Sequence, residues 1–225
     1  MNNKKKKKIY RIFYLYIPIF IVVVTVMIPF LWALSTSFKT LPEFTAETVQ
    51  YLPKSLNLDN YLYVWNKSGF SKYFLNSLLV SFTSVVIIII LCICNGYALS
   101  RYKFKGKGFV TILLLGTQMM PVILYLVPLF SVFKNMHLID NLAALVIFNI
   151  VLQTPFNTLL MRSFVSGIPK EVDEAAMVDG AGKATIMFKI ITPMLKPGIV
   201  AVSAFAFIGC WNEFLVAFTF IQTQV

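Results

Sequence analysis

Four of the nine acidic residues lie in one polar segment, residues 168–182, which lies between long apolar runs. At its end, Gly180 to Ala184 shares the Gly-Lys pair of phosphate-binding loops. Such a loop also requires Ser or Thr after the pair and a glycine five positions before the second glycine, where this chain has Ala184 and Met177. We therefore predict no bound nucleotide. Because no nucleophile–base pair or carboxylate dyad is evident either, we predict that the chain is not an enzyme.

The composition of the polar segment is typical of a short helix that docks onto a partner. Pro169 suits the first helical position because its missing N–H would be unsatisfied there. Acidic residues follow in the first turn, where the helix dipole favours negative charge, and Gly180 and Gly182 mark the end of the helix. Four residues share one face by three-and-four spacing, and two alanines make that face slim enough to enter a groove: Val172, Ala175, Ala176 and Asp179.

Metal ligation is not indicated by the cysteines and the histidine. Cys92, Cys94 and Cys210 all fall within apolar runs and have no metal-ligand spacing. His137 is the single histidine of the chain. We interpret the cysteines as small packing residues, and we predict neither a metal site nor a cofactor.

A polar stripe interrupts one of the apolar runs. Asn149, Gln153 and Asn157 recur at four-residue spacing, which places them on one face of a helix. Inside a lipid bilayer such a face must contact protein or water. The stripe therefore either lines a translocation path or packs against a neighbouring helix, and both would produce this pattern.

Glu213 is the single acidic residue within any of the long apolar runs. A carboxylate near the centre of a bilayer costs about 2–3 kcal/mol, so Glu213 requires a polar partner or a watery surrounding. Trp211 and Asn212 beside it supply an interfacial ring and an amide. Asn212 and Glu213 are therefore a second candidate for a translocation path, and an anchor at the lipid boundary is the alternative.

The overall composition requires lipid as the solvent of this chain. Apolar residues make up 58%, charged residues make up 13%, and the mean hydropathy is +0.78. The net charge of +11 does not indicate nucleic acid, because the basic residues flank apolar runs on one side. Lys4 to Lys8 precede the first run and Arg101 to Lys107 follow the second, which is the positive-inside pattern. We predict a multi-pass membrane protein with a cytoplasmic N-terminus.

We predict an all-α membrane helical bundle with five spans, because each long apolar run approaches the roughly 20 residues needed to cross a bilayer. The spans are Ile12 to Leu34, Tyr73 to Leu99, Phe109 to Phe130, Leu142 to Met161 and Gly198 to Ile221. Residues 1–225 then form a single transmembrane domain. The loop Ser35 to Lys72 lies outside, and residues 162–196 form a cytoplasmic loop that contains the polar segment.

The cytoplasmic loop resembles the EAA loop found in membrane subunits of ATP-binding cassette importers. The residues that carry this resemblance are Glu174, Ala175, Ala176, Gly180, Ile190 and Pro193. Thr192 departs from the pattern, which usually has leucine before this proline. Further segments resemble the carbohydrate-uptake permeases, in particular the second permease of the maltose type. They are Ile168-Pro169, Asp179-Gly180-Ala181, Asn60-Tyr61, Asn76-Ser77, Tyr97 to Arg101 with Phe104 to Gly106, and Trp211 to Phe214.

The resemblance implies a permease subunit of a sugar importer in a prokaryotic cell membrane. It implies a heterodimer with a second permease, a separate ATP-binding cassette ATPase dimer and an external solute-binding protein. Glu174 to Gly180 would dock into a cleft of the ATPase, with Glu174 near a basic residue there. Members of this kind have six spans and an internal C-terminus, so we expect that the sixth span and the C-terminus are missing from this sequence.

Two other functions remain open from the residues alone. A secondary transporter driven by an ion gradient would need intramembrane ionisable residues and inverted repeats, of which only Glu213 is present. A truncated membrane scaffold without transport activity would need only the acidic segment for recruitment.

Overall fold

A computed structural model of the chain describes residues 10, 12–46, 48 and 50–223, and the regular elements within this part are all helical. The basic flank Lys4 to Lys8 lies outside the described residues. The helices in chain order are α1 (Ile17–Ser37), α2 (Leu41–Phe44), α3 (Asp59–Asn66), α4 (Phe70–Arg101), α5 (Lys107–Gln118), α6 (Val122–Asn135), α7 (Leu142–Ser166), α8 (Glu171–Val178), α9 (Lys183–Met194), α10 (Lys196–Trp211) and α11 (Leu215–Phe220). The predicted all-α class is confirmed.

The first of two compact units, Met1–Tyr73, contains one long apolar helix. A π-helical stretch, Ile12–Tyr16, leads into α1, whose 21 residues include no buried side chain. At about 1.5 Å per residue α1 is about 32 Å long, which matches a hydrocarbon core of about 30 Å. A helix that is apolar on all sides in this way requires lipid or another apolar surface around it.

After α1 the same unit forms a small folded segment that was predicted as a polar loop. The Asn60 amide donates to the carbonyls of Ser37 and Lys39 at 3.0 and 2.8 Å. Glu43 accepts from the backbone N–H of Thr40 at 3.0 Å and of Lys54 at 3.1 Å, and these bonds hold the pKa of Glu43 below its ordinary value. The loop therefore contains two short helices, α2 and α3, rather than irregular structure throughout.

The second unit, Phe74–Val225, is built around α4, α7 and α10. These helices approach closely at glycines. An added Cβ at Gly96 of α4 would lie 2.9 Å from the backbone nitrogen of Arg162, and one at Gly198 of α10 would lie 2.7 Å from the Phe164 ring. The core between the helices consists of fully buried side chains such as Ile88, Met161 and Val202. The small residues in the apolar runs therefore allow the close packing typical of membrane helices.

A second apolar cluster joins α6, α7 and α11 around Phe133, Phe148 and Phe220. Next to it, Asp140 has φ +60° and its carboxylate accepts from the backbone N–H groups of Gln222 and Thr223, the latter at 2.8 Å. These bonds, with Thr223 contributing most, hold the pKa of Asp140 below its ordinary value. The turn before α7 is thus tied to the chain after α11.

The described helices include three that are long and apolar enough to cross a membrane: Phe13–Ser37, Phe70–Arg101 and Leu142–Ser166. Two bent pairs bring the number to as many as five if each pair counts as one span. The third span was predicted as Phe109 to Phe130 with interruptions at Gly116, Pro121 and Pro128, and in the structure it is a bent pair in which α5 and α6 meet at 96°. The bend follows from Pro121, which lacks an N–H and disfavours helical geometry in the residue before it.

Candidate coupling site

The polar segment forms α8, whose two ends are defined by recognisable local geometry. The helix begins at Glu171, two residues after Pro169, so the predicted first position for that proline was wrong. Its C-terminal end follows the prediction. Gly180 has φ +82°, the N–H of Ala181 donates to the carbonyl of Ala176 at 2.9 Å, and the N–H of Gly180 donates to the carbonyl of Met177 at 3.1 Å. This is a Schellman motif, which requires the left-handed conformation that glycine adopts without strain.

One face of α8 is anchored in the chain's own bundle through Asp173. This side chain is buried, and its two oxygens have different partners on α4. Oδ1 accepts from the Tyr97 hydroxyl at 2.7 Å, and Oδ2 lies 2.9 Å from Nε of Arg101. The Nε–Oδ2 contact is a close ion pair without the angles of a regular hydrogen bond. A buried carboxylate is tolerated here because a charge and a hydroxyl are both directed at it.

The opposite face of α8 is exposed. Glu171, Glu174 and Ala175 all lie at the surface, and Val178 is 87% exposed. The docking face predicted from spacing was therefore only partly correct, because Ala176 is buried and packs in the apolar core of the chain. The accessible face is acidic and small at its N-terminal end and apolar at its C-terminal end.

The remaining residues of the predicted coupling loop lie on or beside α9. Ile190 is partly buried against the core, Pro193 is exposed, and Asp179 and Gly180 are exposed just after α8. A π-helical stretch, Ile186–Ile191, directs Ile186 and Ile191 into the core. The loop is thus attached to the bundle by apolar side chains from both of its helices.

Sequence reasoning did not identify Asp173, Arg101 and Tyr97 as site residues. Arg101 was interpreted only as a basic flank, and Asp173 only as an acid favoured by the helix dipole. A signal for their pairing was nevertheless present. Asp173 lies beside Val172 and three residues before Ala176, on the face that must be buried, where an acid requires a counter-charge.

The predicted polar stripe on α7 lies inside the bundle. Asn149 is 2% exposed and Asn157 is 0% exposed, and the Gln153 amide lies directly over Gly209 of α10. The Asn157 amide donates to the carbonyl of Gln153 at 2.8 Å. These contacts support packing against a neighbouring helix, and a role of the stripe in a translocation path stays a prediction.

Asn212 and Glu213 lie at a break that sequence reasoning did not predict. The fifth span, predicted as continuous from Gly198 to Ile221, is divided into α10 and α11. The Asn212 amide donates to the carbonyl of Ile208 at 2.9 Å, and Glu213 accepts from the N–H groups of Val216 and Ala217 at 2.8 and 3.2 Å. Glu213 therefore satisfies two N–H groups that the start of α11 would otherwise leave unpaired. The Asn212 amide adds a second bond to a carbonyl that already accepts from the Asn212 backbone N–H.

The cysteines have packing contacts in the structure. Cys92 is fully buried and its Sγ lies 3.7 Å from the Thr154 carbonyl and from the Thr158 hydroxyl. Cys210 is also buried, in the same apolar core. In the part of the chain that the structure describes, no group of three or more His, Cys, Asp or Glu side chains could hold a metal ion.

The structure is thus an apolar helical bundle, typical of a membrane protein, that carries an anchored helix with an exposed acidic face. Residues 92–224 match the family described as binding-protein-dependent transport system inner membrane component. The chain belongs to this family of ATP-binding cassette importers. It is a membrane permease, and ATP hydrolysis takes place on a separate subunit.

Individual relatives agree with this assignment. The chain is 34% identical over 193 residues to the diacetylchitobiose uptake system permease protein NgcG of Streptomyces coelicolor, covering 86% of this chain and 64% of NgcG. It is 31% identical over 200 residues to the sulfoquinovosyl glycerol transport system permease protein SmoH of Agrobacterium fabrum, covering 89% of this chain and 70% of SmoH. The chain thus spans about two thirds of the length of these relatives.

The fold is also found in a solved structure. A chain in the crystal structure of a bacterial ABC transporter involved in the import of the acidic polysaccharide alginate matches with a TM-score of 0.83 and 24% identity. The match covers 95% of this chain and 76% of that chain. This chain therefore shares the fold of that transporter chain.

Proposed function

We propose that this chain is a permease subunit of an ATP-driven importer of sugars or their glycosides, and that the exposed face of α8 is its docking surface for the ATPase. NgcG and SmoH are both named for carbohydrate-containing substrates, which supports this substrate class. The complete importer also contains a second permease, an ATPase dimer and an external solute-binding protein. The N-terminus lies in the cytoplasm.

The observation that carries the proposal is the asymmetry of α8. One face is held by a buried ion pair, while Glu174 and Val178 on the other face are exposed. A helix fixed in this way presents a rigid surface at little further loss of conformational entropy on binding. An acidic, narrow surface fits a basic cleft on a partner.

The mechanism follows from the attachments of α8. Closure of the ATPase dimer on ATP displaces α8, and the displacement reaches α7 through the preceding chain and α10 through α9. Because α7 and α10 pack against each other at Gly198 and Gly209, they move together. The path that they help to enclose with the second permease then changes its access from one side of the membrane to the other.

The test is Glu174→Ala, measured by co-purification with the ATPase and by uptake in cells. Loss of a charged contact worth about 1.4 kcal/mol weakens the association about tenfold. Asp59→Ala is a matched control, because Asp59 is also an exposed acid in the first turn of an eight-residue helix. Undiminished association and uptake in Glu174→Ala would refute the assignment of this face. If the wild-type chain associates with the ATPase but supports no uptake, the membrane scaffold without transport activity is favoured instead.

A further inference from the structure

The C-terminal end of α4 holds the coupling helix at two points. Its Arg101 guanidinium pairs with Asp173 inside α8, and Nη2 of the same group donates to the carbonyl of Ile168 before α8 at 2.9 Å. Tyr97, one turn earlier on α4, donates to the other oxygen of Asp173. Arg101 therefore contacts both α8 and the chain that leads into it, and Tyr97 contacts α8. We call the contacts of Arg101 and Tyr97 with Asp173 the grip.

The same end of α4 is also packed against α7. At Gly96 the Met161 side chain and the backbone of Arg162 occupy the space that a Cβ would need. One turn later the Ser100 and Ser166 hydroxyls lie 3.0 Å apart. The segment Gly96 to Arg101 thus contacts both the end of α7 and α8. These contacts are distant in sequence, since 67 residues separate Arg101 from Ile168.

The links along the chain on either side of α8 contain glycines and are held by backbone hydrogen bonds at the helix ends. Gly167 follows α7, and Gly180 and Gly182 separate α8 from α9. These links connect α8 only to α7 and α9, its neighbours in sequence. The Asp173 carboxylate connects it to α4, since both oxygens have partners on α4 and the side chain is buried.

We propose that Arg101 and Tyr97 are positioning residues that make α4 move with α8 when the ATPase acts, so that the second predicted span takes part in gating directly. This inference rests on the proposed function of α8. It assigns a role to the segment Tyr97 to Arg101, which the resemblance to carbohydrate-uptake permeases identified without a role. The consequence is that α4, as well as α7 and α10, receives the displacement of α8.

A distance measurement on the assembled transporter tests the proposal without changing the grip. In a cysteine-free background, single cysteines that carry spin labels replace Asn95 on α4 and Lys170 before α8, which are both exposed. The transporter is reconstituted with its ATPase and partner permease, and distances are measured with and without ATP. The expected result is an unchanged distance between positions 95 and 170 with and without ATP. The distance from position 170 to a label at the corresponding position of the second permease should change when ATP is added. A shift between positions 95 and 170 larger than the width of their distribution would overturn the proposal.

Variants separate the grip from the docking surface. Asp173→Asn removes the charge from the grip and Tyr97→Phe removes only one hydroxyl, while the exposed face of α8 is unchanged in both. We expect normal association with the ATPase and continued ATP hydrolysis, with at least a tenfold lower uptake per ATP hydrolysed in Asp173→Asn and a smaller loss in Tyr97→Phe. Exchange of the charges in Asp173→Arg with Arg101→Asp should restore part of this ratio, which is the signature of a direct interaction.

The two proposals fail in different ways. If Glu174→Ala leaves association intact, the docking surface is wrong whatever the grip does. If Asp173→Asn keeps the wild-type ratio of uptake to ATP hydrolysis, the contacts of Asp173 with α4 do not couple the movement of α8 to α4. If Asp173→Asn is absent from the membrane, Tyr97→Phe decides through the same ratio, and a wild-type ratio in that variant again overturns the proposal.

Discussion

Gly96→Ala should destabilise the protein, although alanine is the better helix former. Gly96 lies within α4, where replacing glycine by alanine normally stabilises a helix by about 0.5–1 kcal/mol. The added Cβ would lie 2.9 Å from the backbone nitrogen of Arg162, 2.9 Å from Cγ of Met161 and 3.1 Å from the Met161 carbonyl carbon. These separations are several tenths of an ångström shorter than the roughly 3.5 Å of an optimal contact.

The size of the effect follows from which atoms must move. Two of the three neighbouring atoms belong to the backbone of α7, so a change of one side-chain rotamer cannot relieve the contact. Overpacking of this kind costs about 1–3 kcal/mol. From the middle of each range, a cost of about 2 kcal/mol less a gain of about 0.75 kcal/mol leaves a net loss of about 1.2 kcal/mol, which corresponds to a melting temperature about 2–5 °C lower.

Buried cysteines provide the assay. Cys92 is 0% exposed and Cys210 is 5% exposed, so both react with a fluorogenic maleimide only when the bundle opens. Gly116→Ala is the matched control, because Gly116 is also within an apolar helix and an added Cβ there meets no atom within 4 Å. Gly116→Ala should be equal to or more stable than the wild type. A melting temperature of Gly96→Ala equal to that of the wild type would refute the close approach of α4 and α7.

Three further predictions use the same protein. Glu213→Ala should lose about 0.5–2 kcal/mol by removing both bonds to the N-terminus of α11, whereas Glu213→Gln keeps an acceptor. Equal melting temperatures of the two variants in the maleimide assay would contradict capping. Since the pKa of Asp140 is lowered on folding, its stabilising effect is present above the ordinary value of about 3.9 and is lost as pH falls through the folded pKa. Asp140→Asn should therefore show a smaller drop in melting temperature between about pH 6 and pH 3, and an equal drop would refute this. Finally, single cysteines replacing Lys183 and Asn135 should be labelled from the cytoplasmic and the external side respectively, and labelling of position 183 from outside intact cells would contradict the orientation.

Runs of apolar residues and helix-capping residues were sufficient to predict much of the fold. Runs of apolar residues identified α1, α4 and α7, because a helix that crosses lipid must be apolar over about 20 residues. Gly180 identified the end of α8, since a Schellman motif requires a residue that adopts positive φ. Both signals are local in sequence, and no knowledge of the partner elements was needed to interpret them.

The breaks within spans were harder to predict because their causes differ. Pro121 was recognised as an interruption, yet a proline inside a membrane helix can produce a small kink or the 96° bend between α5 and α6. The break between α10 and α11 contains neither proline nor glycine. It lies at Asn212 and Glu213. The Asn212 amide adds a second bond to the Ile208 carbonyl, and Glu213 accepts from two N–H groups at the start of α11. Their polarity was visible in the sequence, but their targets were not.

The candidate site was predicted in position and only partly in geometry. Spacing alone cannot distinguish which side of an amphipathic eight-residue helix faces its own bundle, because small residues occur on both sides of α8. The orientation is decided by Asp173, whose partners Tyr97 and Arg101 lie more than 70 residues away in sequence. A pairing over this distance is specified by the packing of α4 on α7.

Several polar residues inside the apolar runs of this chain contact other parts of the same chain. Asn157 donates to the backbone of its own helix, Glu213 pairs with N–H groups at the start of α11, and Gln153 fills the space over Gly209. An unpaired backbone group in lipid raises the free energy of the folded protein. A polar side chain that pairs with the backbone therefore allows a helix to end or bend within the membrane. A polar residue in a span therefore predicts that a partner is required, and the nearest partner is often the backbone. Any solute contact by this chain should accordingly be sought first among side chains that the bundle leaves exposed.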